Sequence, residues 1–240
     1  MGLHGLTHML KVVDNAIPID CWSCSVSQTT PTLFCPHCSK IQPPSRGDYF
    51  SVFGLVPALN LDLGELEHQF HKLSRKLHPD RFARATSNEK DWSLADTALL
   101  NDAYRTLRDP ISRTAYLLML NGAEIGEEHS GKNRNDPSRV PADLLEEVFD
   151  LNMQLEEMRE ARAAGSSDPE LEQSLAAAKR KFDGLLDEVD SNLRAQWTVW
   201  DQGDESARKA AEKIMVALLD RRRYLNNLVR DVTDALGASI

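Results

Sequence analysis

Leu66-Glu67-His68-Gln69-Phe70-His71-Lys72-Leu73-Ser74-Arg75-Lys76-Leu77-His78-Pro79-Asp80 is the stretch on which the fold turns. Leu66, Phe70, Leu73 and Leu77 recur at steps of four, three and four, which is one face of an α-helix running from Asp62 to Leu77, so the four should face a core. Lys72, Arg75 and Lys76 fall on the opposite arc, with His68 beside them. Pro79 stops the helix, and because the residue before a proline is pushed out of helical geometry, His78 must already turn away. The result is a polar, proline-stiffened corner at the end of a positive ridge. Either feature alone reads as ordinary solvated surface. Together, in an acidic chain, they point to a specific acidic partner surface, where charge complementarity sets orientation and encounter rate.

Downstream, a second helix is predicted over roughly Asp91 to Arg108, with Trp92, Leu99, Leu100, Ala103 and Leu107 on one side. Asp96 projects onto the same arc, and the pattern gives no reason for a carboxylate there. Asp109-Pro110 ends this helix, and Ile111 to Leu120 makes a last short one. The two long helices should pair antiparallel through their apolar faces, supported by Phe50, Phe53 and Tyr116.

Residues 122–140 are rich in Gly, Asn, Ser and Glu and read as a polar linker. From 141 to 240 the helical period returns in three stripes. The first, from Ala142 to Ala164, carries Leu144, Leu145, Val148, Leu151, Leu155 and Met158. Gly165-Ser166-Ser167-Asp168-Pro169 breaks it, with Asp168 suited to an N-cap and Pro169 to a first turn. The second carries Leu171, Leu175, Ala178, Phe182, Leu185, Val189 and Leu193; after Gly203-Asp204 the third carries Ala207, Ala211, Ile214, Leu218, Leu225, Leu228 and Val232. Three such stripes joined by short loops predict an antiparallel three-helix bundle.

Upstream, residues 1–17 read as a weakly structured leader, and 18–42 as a cysteine module ending in the breaker-rich joint Pro43-Pro44-Ser45-Arg46-Gly47. The module spaces Cys21-x2-Cys24, ten residues, then Cys35-x2-Cys38, two knuckles suited to four thiolates around one structural zinc. Two dozen residues bury no core of their own, so the metal would supply folding free energy on the order of 10 kcal/mol. Unligated thiols and a redox Cys-x-x-Cys pair are the alternatives; the βαβ setting of a redox pair is missing. His37 could compete as a ligand and reads better as a solvent-facing spacer.

The formal charge of -9 gives a nucleic-acid backbone little to hold without a local basic patch. No apolar run approaches the roughly 20 residues of a membrane span, and the first twenty residues, with Lys11 against Asp14 and Asp20, suit neither a secretory nor a mitochondrial leader. The cytoplasm is the expected compartment.

Asp48-Tyr49-Phe50, His78-Pro79-Asp80-Arg81-Phe82, Asn101-Asp102-Ala103-Tyr104-Arg105-Thr106-Leu107, Asp109-Pro110 and Ser112-Arg113-x-x-Tyr116-Leu117-Leu118 resemble the J domain of HscB co-chaperones, which serve iron–sulfur cluster assembly. The resemblance is close over 47–121 and looser over 141–240, where it holds in layout. It implies an all-α protein: a J-domain helical hairpin, a C-terminal client-binding bundle, and here an N-terminal zinc module. It implies no enzyme. His78, Pro79 and Asp80 would trigger ATP hydrolysis by a DnaK/HscA-type chaperone, and Lys72, Arg75 and Lys76 would orient the encounter. The bundle would deliver an IscU-type scaffold through Leu145, Phe149, Asp150, Met153 and Tyr224. Glu146 and Met153 depart from the family's apolar and acidic choices at their positions, and the competing reading makes Leu145 bundle core and Tyr224 an edge residue. The four-cysteine module is familiar from eukaryotic, mitochondrial members and many bacterial ones lack it, but without an Arg-rich leader a bacterial cytoplasmic protein is expected, with the mitochondrial matrix as alternative. Stabilisation, homodimer formation and a partner contact are all open roles for it. The second functional reading is a zinc-dependent nucleic-acid-binding regulator, for which only Trp22, Phe34, His37 and Lys40 flank the knuckles.

Overall fold

The computed structural model describes residues 19–30, 32–44, 47–125 and 140–237; the expected leader 1–17 and residues 126–139 of the expected linker lie outside them. The architecture is all-α apart from a two-stranded ribbon in the cysteine module, as the periodicity predicts. Two compact units divide the chain: Asp62–Asp109 with the chain up to Pro57, and Ala58–Leu61 with Pro110 onward. The division at Asp109 falls inside the stretch 47–121 that the sequence suggests as one segment.

In the first unit, β1 (Ile19–Asp20) pairs antiparallel with β2 (Ser27–Gln28). Helix α1 (Tyr49–Val52) starts on Asp48, whose side chain accepts from the Ser51 N–H. Helix α2 (Leu63–Leu77) starts on Asp62, which accepts from the Glu65 N–H and so satisfies one of the four free donors of a helix start. Leu66 and Leu77 are fully buried, whereas Phe70 and Leu73 are half-buried. Phe70 instead lies flat on Tyr104, ring centroids 4.1 Å apart. Helix α3 (Ser87–Arg108) begins four residues before the expected Asp91, because Thr86 and Glu89 form a reciprocal capping box that extends the helix backwards. Leu100, Ala103 and Leu107 of α3 close the core with Phe50 and Phe53.

The second unit contains α4 (Pro110–Leu120), a 3₁₀ turn (Ala142–Leu144), α5 (Leu145–Ala163), α6 (Pro169–Gln202) and α7 (Glu205–Leu236). Tyr116, expected beside Phe50 and Phe53, sits on α4 in this unit. Asp168 caps α6, accepting the Glu170 and Leu171 N–H groups, and Asp204 caps α7, accepting the Ala207 N–H, at the breaks the sequence marks. The last three helices form the bundle around Leu144, Val148, Leu151, Leu155, Met158, Phe182 and Leu225. Helix α6 runs two turns past its expected stripe and buries Trp197 and Trp200. In α7 the stripe is corrected by one residue: Met215 and Leu219 are buried, while Ile214 is exposed, because Ala211 sets the face and steps of four carry it to 215 and 219.

Each pair of bundle helices is tied by an ion pair. Asp143, on the turn before α5, takes both Arg221 nitrogens of α7 at 3.0 and 2.7 Å. Lys181 of α6 meets Glu147 of α5 at 2.8 Å, and Arg222 of α7 meets Asp190 of α6 at 2.6 Å. Arg221 holds the Asp143 carboxyl below the usual carboxylate range, and Lys181 does the same for Glu147. Arg222–Asp190 is half-buried on both sides, and the two more exposed pairs add little stability.

Candidate functional site

Three places in the described residues carry the residue types that the sequence singles out. The first is the corner after α2. His78 has ψ 129, extended as the proline requires, and Pro79–Phe82 then makes one 3₁₀ turn. The Asp80 N–H donates to His78 Nδ1 at 3.3 Å, and the Arg81 N–H donates to the His78 carbonyl at 2.9 Å. The Asp80 side chain is 90% exposed and that of His78 59%. Lys72, Arg75 and Lys76 are exposed on the helix leading into this turn. What fixes the corner comes from α3: the hydroxyl of buried Ser93 donates to the Leu77 carbonyl at 2.6 Å, pairing an acceptor that the helix end leaves free. Sequence reasoning missed Ser93, which carries no motif signal.

The second place is the cysteine cluster. Cys21 and Cys35 are buried, and the four Sγ atoms lie within 4.8 Å of one another. Cys21 and Cys38 sulfurs are 3.7 Å apart, and those of Cys24 and Cys35 are 3.8 Å apart. A disulfide needs about 2.05 Å, whereas a tetrahedron with Zn–S bonds of about 2.3 Å has edges of about 3.8 Å. The two knuckles are built alike. Ser25 N–H donates to the Cys21 carbonyl and Ser39 N–H to the Cys35 carbonyl, at 2.8 and 2.9 Å, and both serines take positive φ, 58 and 59. Burial pushes the Cys21 thiol up, but the N–H groups of Cys24 and Ser23 and the neighbouring thiols outweigh it and bring it down to about 6. The Val26 N–H pulls the Cys24 thiol down, but burial and the thiols of Cys21, Cys38 and Cys35 outweigh it and push it up to about 12. His37 is exposed and outside the cluster, which supports its reading as a spacer.

No protein-family model matches the chain. It is 31% identical to the mouse iron–sulfur cluster co-chaperone protein HscB over 217 residues, 89% of this chain and 81% of the mouse protein. The crystal structure of human co-chaperone protein HscB superposes with a TM-score of 0.63 at 26% identity, covering 90% of this chain and 97% of that one. The chain belongs to the HscB family of iron–sulfur cluster co-chaperones. Chaperone HscB from Vibrio cholerae superposes as well, with a TM-score of 0.54 at 26% identity over 78% of this chain and 96% of that one.

The third place of this HscB-family chain is the outer face of α5. Leu145, Phe149 and Met153 recur every four residues and are 50%, 66% and 52% exposed, with Asp150 exposed beside them. Leu145 is therefore not bundle core; Leu144 and Val148 occupy the core positions. Tyr224 of α7 is half-buried and packs against the bundle core, and that burial raises its hydroxyl above the usual range. A row of exposed large apolar side chains on a helix is uncommon on a chain that meets nothing there.

Proposed function

We propose that the chain stimulates ATP hydrolysis by a DnaK/HscA-type chaperone and delivers to it an IscU-type scaffold for iron–sulfur clusters. The observation that carries the reading is the exposed His78–Asp80 corner at the end of the Lys72, Arg75, Lys76 ridge, held on a rigid hairpin by Ser93. Stimulation requires that the corner and ridge bind the chaperone's hydrolysis-competent state more tightly than its other state, with no bond broken by this chain. As units of function we assign 47–121 to the J domain and 141–240 to client binding. Leu145, Phe149 and Met153 would give the client an apolar anchor, with Asp150 and Tyr224 at its edge. The cysteine cluster would hold one zinc ion through Cys21, Cys24, Cys35 and Cys38, a closed set with no position for substrate and hence structural. The compartment we favour is the bacterial cytoplasm, with the mitochondrial matrix as the alternative. No helix among the described residues is long and apolar enough to cross a membrane.

Titration of the full-length protein into the chaperone under single-turnover conditions, alone and with the scaffold, tests the proposal. Hydrolysis should accelerate with this chain alone and further with the scaffold present. No acceleration in either arm would reject it.

A further inference from the structure

The cysteine module sits in the same compact unit as α2 and α3, and three of its side chains reach the two helices on either side of the corner. The Trp22 ring meets Trp92 of α3 edge to face, centroids 5.6 Å apart. Lys40 pairs with buried Glu89 of α3 at 3.0 Å, and the Thr86 N–H together with Lys40 holds that carboxyl below its usual range. On the other side, Lys76 Nζ of α2 lies 5.8 Å from the centroid of the Phe34 ring. The Phe34 backbone is held by a bridge to buried Ile41, the two residues flanking the second knuckle.

We propose that Phe34 is a positioning residue for docking on the chaperone: its ring holds the Lys76 side chain in one orientation beside the His78–Asp80 corner. A free lysine surrenders rotamer freedom when it docks. One already lying against an aromatic face has surrendered part of it, and the exposed ammonium can still meet a carboxylate on its outer side. The metal knuckle thus contributes to the docking ridge without touching the partner. The inference rests on the proposed reading of the corner and ridge as the chaperone-facing surface.

The test compares full-length wild-type protein with Phe34→Leu, Phe34→Tyr, Lys76→Ala and the double variant Phe34→Leu/Lys76→Ala. Bound metal, direct affinity for the chaperone and maximal stimulated turnover are measured for each. Phe34→Leu keeps apolar bulk in the knuckle and removes only the ring face. It should retain the wild-type metal content, weaken affinity by about two- to five-fold, and leave maximal turnover unchanged. Phe34→Tyr should bind like the wild type. In the Lys76→Ala background, Phe34→Leu should change nothing further. Unchanged affinity of Phe34→Leu beside a weakened Lys76→Ala would overturn the positioning role while the docking reading stands. An equal loss in both backgrounds would also overturn it, since the effect would not pass through Lys76. Lys76→Ala with undiminished affinity would remove Lys76 from the docking surface and the inference with it.

Discussion

The backbone N–H of Asp80 donates to Nδ1 of His78, at 3.3 Å, across the proline between them. The inner ring nitrogen thereby closes the turn, and the same nitrogen lies 3.5 Å from the Asp80 carboxylate. The shape of the corner is therefore local. Pro79 fixes one dihedral, His78 caps the 3₁₀ turn, and the Asp80 carboxylate stays in solvent.

What anchors this local shape to the hairpin is Ser93. Ser93→Ala leaves the Leu77 carbonyl without its hydroxyl donor at a buried position. It should cost about 1–3 kcal/mol, read by urea denaturation, and speed amide exchange in the last turn of α2. A variant as stable as the wild type would mean the Leu77 carbonyl finds another donor.

Asp96 is fully buried in α3, and neither carboxylate oxygen has a hydrogen-bond partner. Burial pushes its carboxyl up to about 7, from an ordinary value of 3.8. Between those two values the folded state binds the proton more tightly than the unfolded state, so stability falls as pH rises through that window. Asp96→Asn removes this dependence. The variant should gain on the wild type, on the order of a few kcal/mol, as pH goes from 4 to 8. Parallel stability curves over that range would show that Asp96 is solvated or paired in solution.

The exposed face of α5 makes a separable prediction. Leu145→Ala with Phe149→Ala removes two side chains that are 50% and 66% exposed. Thermal stability should hold within about 0.5 kcal/mol, while affinity for the scaffold falls by about tenfold or more. Stimulation of the chaperone in the absence of scaffold should be unchanged. Equal scaffold binding by the double variant, measured by calorimetry, would remove the patch.

Elemental analysis of the purified chain should find one zinc ion. Chelation should unfold the module and part Trp22 from Trp92, read as a change in tryptophan fluorescence, while the helical circular dichroism persists because α5, α6 and α7 have their own core. Conversely, Ser25→Gly and Ser39→Gly relieve a left-handed conformation at both knuckles and should each stabilise the metal-bound module by about 1 kcal/mol. A zinc-free chain with an intact module would refute the structural-metal assignment.

Features written in neighbouring residues were legible in the sequence. Pro79 ends α2, Asp168-Pro169 and Asp204 start the last two helices, and the paired Cys-x-x-Cys spacing brings four sulfurs together. The capping box Thr86 to Glu89 is written there too, and it starts α3 ahead of the expected Asp91. Other features depend on residues far apart in the chain, which periodicity does not connect. Asp201 accepts the N–H groups of Leu59 and Asn60 at 2.8 and 2.9 Å, and buried Arg113 donates to the Leu59 carbonyl with its guanidinium over Trp197. The contacts of Trp22, Phe34 and Lys40 with the hairpin are of the same kind. Leu145 fits both a core stripe and an outer face by spacing alone, and only its neighbours in the bundle decide between them.

The central claim is that the corner is read by the chaperone, and single-turnover ATP hydrolysis with His78→Gln and Asp80→Asn tests it most directly. Both side chains are largely exposed, so each variant should fold: Asp80→Asn within about 0.5 kcal/mol of the wild type, and His78→Gln with about 1 kcal/mol lost with the cap at Nδ1. The account predicts that wild-type protein accelerates hydrolysis and that both folded variants leave it at the chaperone's unstimulated rate. Full stimulation by either variant would contradict it.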